Sequence, residues 1–274
     1  MTDILTVDNL SVTDNAGNTL LQPASFTISR YRTLGIVGES GSGKSLMAKA
    51  IMGLLPAGLH AHGRVLFRGR DLLKNNKYQW QQTRGKDISL IIQDSMGAFD
   101  PLMTLKDQFI ETLQYHTNIN RDACFQLACQ CLARVNIKVP EQKLTCLPHQ
   151  LSGGQLQRMM IAMTLALKPS LVIADEPTTA LDSITQSDIL SQFKLLAAER
   201  QSTLVLISHD LGVVRNIADD IAVIYQGRIV EYQKTEFLWE APQHSYTRFL
   251  LDTRKRLSLR FNTIMGRASH ATSR

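Results

Sequence analysis

The spacing of apolar residues divides the chain into strand-like and helix-like segments. Three strand-like runs come first, ILTVDNLSV, ASFTISR and TLGIV, and the turn DNAGN separates the first two. The segment SLMAKAIMG that follows has the spacing of a helix, and the runs GRVLFRGRDL and ISLIIQ after it have the pattern of strands. The first part of the chain therefore predicts a mainly β region interrupted by a helix.

Between Thr104 and about Val135 the spacing becomes helical, and the proline-containing joint TCLPHQ closes this stretch. A second alternating series follows, with helix-like runs GQLQRMMIAMTLALK, SITQSDILSQFKLLAAER and LGVVRNIA and strand-like runs LVIAD, STLVLISH and IAVIYQGRIVEY. LVIAD is a continuous apolar run, which is typical of a parallel strand buried on both faces. The alternation predicts an α/β fold with a parallel-sheet core in residues 1–94 and 150–240, a helical insertion at 95–149, and a C-terminal helix and basic tail at 241–274.

Composition places the chain among soluble globular proteins, with 44% hydrophobic and 20% charged residues in 274. No run of 18 or more apolar residues occurs, so no membrane-crossing helix is predicted. The start MTDILTVDNL lacks the basic-then-apolar layout of a signal peptide. We therefore expect a cytosolic protein.

Four cysteines, Cys124, Cys129, Cys131 and Cys146, lie close together and raise the question of a metal site. The segment RDACFQLACQCLARV reads as an amphipathic helix in which Cys124, Leu127, Cys131 and Leu132 share a face. We therefore predict reduced cysteines packed in a core rather than metal ligands.

The formal net charge of +6 is concentrated towards the C-terminus. The basic residues there are Arg248, Arg254, Lys255, Arg256, Arg260, Arg267 and Arg274, against a single acid, Asp252. Such a tail can meet nucleic acid or an anionic membrane surface. The alternative, which we favour, is a solvated tail without a partner.

The run GESGSGKS, Gly38 to Ser45, fits the phosphate-loop pattern G-x-x-x-x-G-K-[ST]. A strand-like run precedes it and a helix-like run follows, which is the context that the motif requires. Glycines allow backbone N–H groups to surround a polyphosphate, and the helix adds the positive end of its dipole. Lys44 is expected to reach the β- and γ-phosphates and Ser45 to hold Mg²⁺.

The run LVIADEP places a carboxylate at the end of a buried strand. Asp175 is expected to hold the Mg²⁺ that Ser45 also touches, and Glu176 to polarise an attacking water. By itself an Asp-Glu pair at a strand end is a weak signal, but with a phosphate loop it becomes a strong one.

The run LSGGQLQR contains a second candidate anion site, formed by Ser152, Gly153 and Gly154 before a helix. A single triphosphate does not need two phosphate cradles from one chain, whereas two chains facing head to tail would use both. The alternative is an ordinary helix start capped by Ser152.

These motifs together resemble the ATP-binding subunit of an ATP-binding cassette (ABC) transporter. GESGSGKS is similar to the Walker A motif of that family, LVIADE to Walker B and LSGGQ to the family signature. Gln93 in LIIQD matches the Q-loop, Ala180-Leu181-Asp182 the D-loop, and His209 in LISHD the switch histidine. Without the resemblance, His209 is only a histidine at the end of a buried strand, a position that is often structural.

The resemblance implies a P-loop NTPase core, with a RecA-like parallel sheet, an N-terminal antiparallel β part and an inserted α-helical subdomain. It implies ATP and Mg²⁺ as cofactors and a dimer of nucleotide domains that closes on two ATP molecules. Glu176 would be the catalytic base, His209 would contact the γ-phosphate, and Gln93 would link the site to the transport channel. The nucleotide would be bound by Gly38, Glu39, Ser40, Gly41, Ser42, Gly43, Lys44, Ser45, Ser152, Gly153, Gly154, Gln155 and Asp182, and the metal by Ser45, Gln93 and Asp175.

Within that family the chain is most similar to the ATPases of peptide and nickel importers. The runs that carry this resemblance are QDSMGAFDPLMTL, LPHQLSGG, IADEPTTALD, SHDLGVV and APQHSYTRFLL. That subgroup implies a second, related ATPase subunit, two transmembrane permease subunits and an extracytoplasmic substrate-binding protein. The chain would lie peripherally on the cytoplasmic face of the membrane. The cargo implied is nickel, a metal chelate or di- and oligopeptides. Nickel is slightly favoured, because some peptide-importer subunits carry a C-terminal cysteine cluster and no cysteine follows Cys146 here.

The alternative is a soluble ABC ATPase that acts on nucleic acid or ribosomes. Soluble members generally carry two cassettes in one chain or a long coiled-coil insertion, and the sequence has neither. Nucleic acid is therefore not expected as a partner. The chain also departs from many ABC ATPases in having no aromatic residue in VTDNA, residues 12–16. Stacking on adenine is therefore expected to be weak or to come from another part of the chain, and the sequence does not identify the residue.

Overall fold

Strands and helices alternate along the chain and build two β-sheets with helices packed around them. The computed structural model describes residues 2–179, 181–198 and 202–255. The strands are β1 Asp3–Asp14, β2 Thr19–Ser29, β3 Thr33–Val37, β4 Leu59–Phe67, β5 Arg70–Asp71, β6 Ile88–Ile91, β7 Leu171–Asp175, β8 Thr203–Ser208, β9 Asp220–Tyr225 and β10 Arg228–Lys234. The α-helices are α1 Lys44–Ile51, α2 Lys77–Thr83, α3 Leu105–His116, α4 Arg121–Arg134, α5 Pro140–Leu144, α6 Gly153–Leu167, α7 Ser183–Ala198, α8 Leu211–Arg215 and α9 Thr235–Glu240.

A four-stranded antiparallel sheet in the order β2-β1-β4-β5 is built mainly from the N-terminal part of the chain. Along β1, apolar side chains such as Leu5, Val7 and Val12 are buried while polar neighbours face outwards. They share a core with Met47 and Ile51 of α1, so this sheet covers the helix that follows β3. The alternation of apolar and polar residues is what a sheet with one buried face requires.

The second sheet has six strands in the order β10-β9-β3-β8-β7-β6. All strand pairs are parallel except β9 with β10, which are antiparallel. Every residue of β3, β7 and β8 is buried, which agrees with their continuous apolar runs. The prediction of an α/β fold with a parallel-sheet core is confirmed. The run IAVIYQGRIVEY, however, is a hairpin, because Gln226 and Gly227 both turn through positive φ.

Helices α3, α4 and α6 pack against one another beside the six-stranded sheet. Their shared core contains Phe109, Leu132 and Met159, and α6 also contacts β6. Cys124 and Cys131 are buried in this core, where burial raises the pKa of both thiols, and all four cysteines are unpaired. Among the residues that the structure describes, no helix has both the length and the apolar character needed to cross a bilayer.

The last helix in the described part of the chain covers residues 245–255 and is called the C-terminal helix below. It returns to the edge of the six-stranded sheet at which β3 ends, and it buries Tyr246 and Leu251. Part of the predicted basic tail, including Arg256, Arg260 and Arg267, lies outside the described residues. The division of the chain into core, helical insertion and C-terminal segment stays a proposal.

Candidate active site

The phosphate loop joins the end of β3 to the start of α1, at the middle of the six-stranded sheet. α1 begins at Lys44, directly after Gly43, whose φ of 103° suits glycine. A Cβ on Gly38 would overlap the carbonyl oxygen of Ile224 in β9. The loop can therefore take this course beside β9 only with a glycine at 38.

The side chain of Lys44 is buried inside the loop, with 6% of its surface exposed. Its Nζ donates hydrogen bonds to the carbonyl oxygens of Gly38, at 2.9 Å, and Glu39, at 2.7 Å. Burial lowers the pKa of Lys44, and the charges of Glu176 and Asp175 oppose that shift. The loop thus holds a cation at its centre, where a phosphate group would be attracted.

Ser42 offers a further indication that the loop is shaped for a ligand. Its Oγ is buried and has no hydrogen-bond partner within the described part of the chain. A buried hydroxyl without a partner is costly, and a phosphate oxygen would satisfy it. The phosphate loop therefore fits the nucleoside triphosphate that the sequence motif predicts.

Asp175 ends β7 beside the start of α1, as the sequence predicts. Ser45 Oγ donates a hydrogen bond of 3.0 Å to Asp175 Oδ1. Burial raises the pKa of Asp175, and the hydrogen bond from Ser45 acts in the opposite direction. A hydroxyl and a carboxylate, with the amide of Gln93 on the same cleft, form an oxygen donor set of the kind that Mg²⁺ prefers.

Glu176 faces a different partner from Asp175 because the backbone turns between them. Glu176 has a φ of 50°, in the left-handed region that few non-glycine residues adopt. Its carboxylate lies 2.7 Å through Oε2, and 2.9 Å through Oε1, from Nδ1 of His209. The backbone N–H of His209 and the hydroxyl of Thr179 donate to the same carboxylate, at 3.1 and 2.9 Å.

One cleft of about 980 Å³ is lined by Lys44, Ser45, Gln93, Glu176 and His209, and Asp175 is joined to it through its hydrogen bond with Ser45. The phosphate loop, Gln93, Glu176 and His209 supply the polar part of the lining. Apolar side chains complete the lining: Leu20, Leu46, Phe249 and Leu250. A cleft with convergent polar groups and an apolar part is typical of a small-molecule site.

The second predicted anion site does not line this cleft. Ser152 caps α6, since its Oγ accepts from the N–H of Gln155 at 3.3 Å and Gln155 Oε1 accepts from the N–H of Ser152 at 3.1 Å. Gly153 is exposed, and a Cβ added there would touch nothing. Asp182 does not line the cleft either. Its carboxylate accepts hydrogen bonds from the N–H and the hydroxyl of Thr185 at the start of α7. Ala180 lies outside the described residues.

Sequence reasoning missed the contribution of the C-terminal helix. Tyr246 contacts the phosphate loop, and Phe249, Leu250 and Thr253 line the cleft. The run PQHSYTRFL is one of the segments similar to the ATPases of peptide and nickel importers, so it could have been singled out. The spacing of its residues, however, does not show which part of the chain they contact. Phe249 also brings an aromatic side chain to a cleft for which residues 12–16 supply none.

Comparisons with known proteins show which family and which solved structures this chain is similar to. The family described as "ABC transporter" matches residues 21–179. The metal-staphylopine import system ATP-binding protein CntD of Staphylococcus aureus (strain Mu50 / ATCC 700699) is 40% identical over 96% of this chain and 97% of that protein. The dipeptide transport ATP-binding protein DppD of Bacillus subtilis (strain 168) is 41% identical over 94% of this chain and 79% of that protein. A dimeric post-hydrolysis structure of the ATP-binding cassette MJ0796, bound to ADP and Pi, is 28% identical, with a TM-score of 0.76 over 84% of this chain and 98% of that one.

Proposed function

Since this chain belongs to the ABC transporter family, we propose that it is the ATP-hydrolysing subunit that powers an importer of a metal chelate or of short peptides. The chain is an ATPase that binds ATP. The observation that supports the site assignment is the pair of contacts at one cleft, Ser45 with Asp175 and Glu176 with His209. Two adjacent acids with different partners suit two different tasks in hydrolysis.

The residues at the cleft have different roles in ATP hydrolysis. Lys44, held inside the loop, binds the phosphates through its positive charge. Ser45, Asp175 and Gln93 would hold Mg²⁺, which when bound neutralises charge on the phosphate oxygens. Glu176 accepts a proton from the attacking water, and His209 keeps that carboxylate turned towards the cleft.

The exposed start of α6 supports a role in a second chain's site. Gly153 and Gly154 carry free N–H groups at the positive dipole end of a 15-residue helix, and Ser152 caps that helix. None of the three residues lines this chain's own cleft. The related cassette MJ0796 is a dimer in its ADP- and Pi-bound structure. We therefore propose a head-to-tail pair with a second, related ATPase, in which these residues meet the partner's γ-phosphate.

A groove of about 360 Å³ between the six-stranded sheet and the packed helices supports the proposed permease partner. Apolar side chains line much of it, including Leu54, Phe99, Met160 and Met163. We propose that a short helical segment of a transmembrane permease subunit docks there. The chain would then lie on the cytoplasmic face of the membrane, and an extracytoplasmic binding protein would select the cargo.

Of the two cargo classes we propose the metal chelate, with nickel as the first metal to test. The similarity to a metal-staphylopine importer subunit, over 96% of this chain, supports this choice. The similarity to DppD of Bacillus subtilis makes a dipeptide the competing cargo.

An uptake experiment tests this proposal. Cells without the chain should lose uptake of trace radioactive nickel supplied with a chelator and keep uptake of a labelled dipeptide. Wild-type chain should restore uptake, and Glu176→Gln, expressed to the same level, should not. Loss of dipeptide uptake alone would reverse the cargo assignment. Recovery of the chain with ribosomes rather than membranes would contradict the importer role itself.

A further inference from the structure

One peptide group of the phosphate loop is held at both ends. The carbonyl oxygen of Gly38 accepts a hydrogen bond of 2.9 Å from Lys44 Nζ. The N–H of Glu39, which belongs to the same peptide group, donates a hydrogen bond of 3.0 Å to the hydroxyl oxygen of Tyr246. Because a peptide group is planar, fixing the direction of its N–H also fixes the direction of its carbonyl.

Tyr246 has little freedom to move. Only 8% of its surface is exposed, and its ring stacks on Tyr225 at the end of β9, with 4.2 Å between the ring centroids and 30° between the planes. Burial raises the pKa of its hydroxyl, so the group stays neutral at physiological pH. The hydroxyl oxygen is thus a fixed acceptor for the loop.

The C-terminal helix that carries Tyr246 is attached to the core on both sides. Just before it, the buried carboxylate of Glu231 in β10 accepts from the N–H groups of Gln243, at 2.8 Å, and His244, at 3.0 Å. Near its end, Arg254 Nη1 lies 3.5 Å from Asp210, the residue after His209. The helix therefore spans the region between the phosphate loop and the strand that presents His209.

From these contacts we infer that Tyr246 is a positioning residue for Lys44. The inference rests on the proposed function, because it concerns the same ATP site. Tyr246 fixes the Gly38–Glu39 peptide group, and the carbonyl of that group fixes the amine of Lys44. The C-terminal helix then contributes to ATP binding through Tyr246, although it is distant in sequence from the phosphate loop that it contacts.

The test is the variant Tyr246→Phe, which keeps the stacked ring and removes only the hydroxyl. The dissociation constant for ATP on the full chain should rise about 3- to 10-fold, the equivalent of one ordinary hydrogen bond. In the assembled transporter the KM for ATP should rise by the same factor, while kcat at saturating ATP stays within about twofold. A purely structural loss would instead lower the melting temperature and reduce kcat.

Tyr225→Phe is the matched control. It removes the hydroxyl of the stacking partner, which accepts from Gln226, and leaves the contact with Glu39 in place. Amide hydrogen exchange at Glu39 gives a direct second measurement, since it should accelerate in Tyr246→Phe and not in Tyr225→Phe. An unchanged ATP affinity in Tyr246→Phe, or equal effects of the two variants, would overturn the inference. If the wild-type chain bound no ATP, the proposed function would fail rather than this inference.

Discussion

At the scale of single residues, the site depends on a turn of the backbone between two neighbouring acids. Asp175 stays on the strand and faces Ser45, whereas Glu176 adopts a φ of 50° and faces His209. A left-handed conformation at a residue with a side chain costs about 1–2 kcal/mol. The strained turn points the two carboxylates at different partners. Asp175 is placed to bind a metal ion beside Ser45, and Glu176 is placed to accept a proton beside His209.

Replacing Glu176 by Gln tests the second role. The amide has nearly the same shape but does not accept a proton, so ATP binding should persist while turnover falls about 100-fold or more. Single-turnover hydrolysis and equilibrium ATP binding measure the two effects. Thr179→Val is the control, because it removes one hydrogen bond to Glu176 and leaves the carboxylate. Turnover at the wild-type rate in Glu176→Gln would show that another group is the base.

Replacing Lys44 by Ala tests the role of the cation in the loop. The phosphates lose a charged donor held at the loop's centre, so ATP affinity should fall about 10- to 100-fold or more. Titration of the isolated chain with ATP measures this. Lys49→Ala, on the exposed side of the same helix, removes the same charge and should leave affinity nearly unchanged. Equal losses in both variants would mean that net charge, rather than the contact, controls binding.

At the scale of secondary-structure elements, the start of α6 carries two properties at once. Ser152 and Gln155 form a capping box, as expected if LSGGQLQR is an ordinary helix start capped by Ser152. The N–H groups at the first positions of any helix have no partner inside the helix, and Gly153 leaves open space in front of them. Capping and anion binding are therefore compatible here.

Replacing Gly153 by Asp should separate the two properties. A carboxylate in the first turn suits the helix dipole and meets no obstacle, so the fold should survive. The same charge repels a partner's phosphate, so ATP-dependent pairing and turnover should be lost while the isolated chain still binds ATP. Sedimentation with the partner ATPase measures pairing, and Gly153→Ala separates added size from added charge. Weaker ATP binding by the isolated Gly153→Asp chain would count against a role in the partner's site.

The elements that the sequence predicts best are those defined by local pattern. Strands β3 and β7 are continuous apolar runs because parallel strands in this sheet are buried on both faces. The hairpin of β9 and β10 was missed because apolar residues continue on both sides of its short turn at Gln226 and Gly227. Periodicity identifies a strand, but it does not by itself show where the chain reverses.

At the scale of the whole molecule, local sequence pattern predicts only those parts of the site that are contiguous in the chain. The phosphate loop and Asp175 were predictable because each motif is contiguous and lies at the end of a recognisable strand. The contact of Tyr246 with Glu39 was not, because it depends on how the C-terminal helix packs against a sheet edge assembled from distant strands. The cleft is thus shaped by both ends of the described chain, from Leu20 to Thr253.

This arrangement has a consequence for the order of events during synthesis. Tyr246 is added 207 residues after Glu39, which at ordinary elongation rates is a delay of about 10 to 40 s. Throughout that interval a nascent chain displays a complete phosphate-loop motif whose Gly38–Glu39 peptide lacks its second anchor. If Tyr246 positions Lys44 as inferred, a chain whose last described helix has docked should bind ATP about 3- to 10-fold more tightly than a shorter nascent chain.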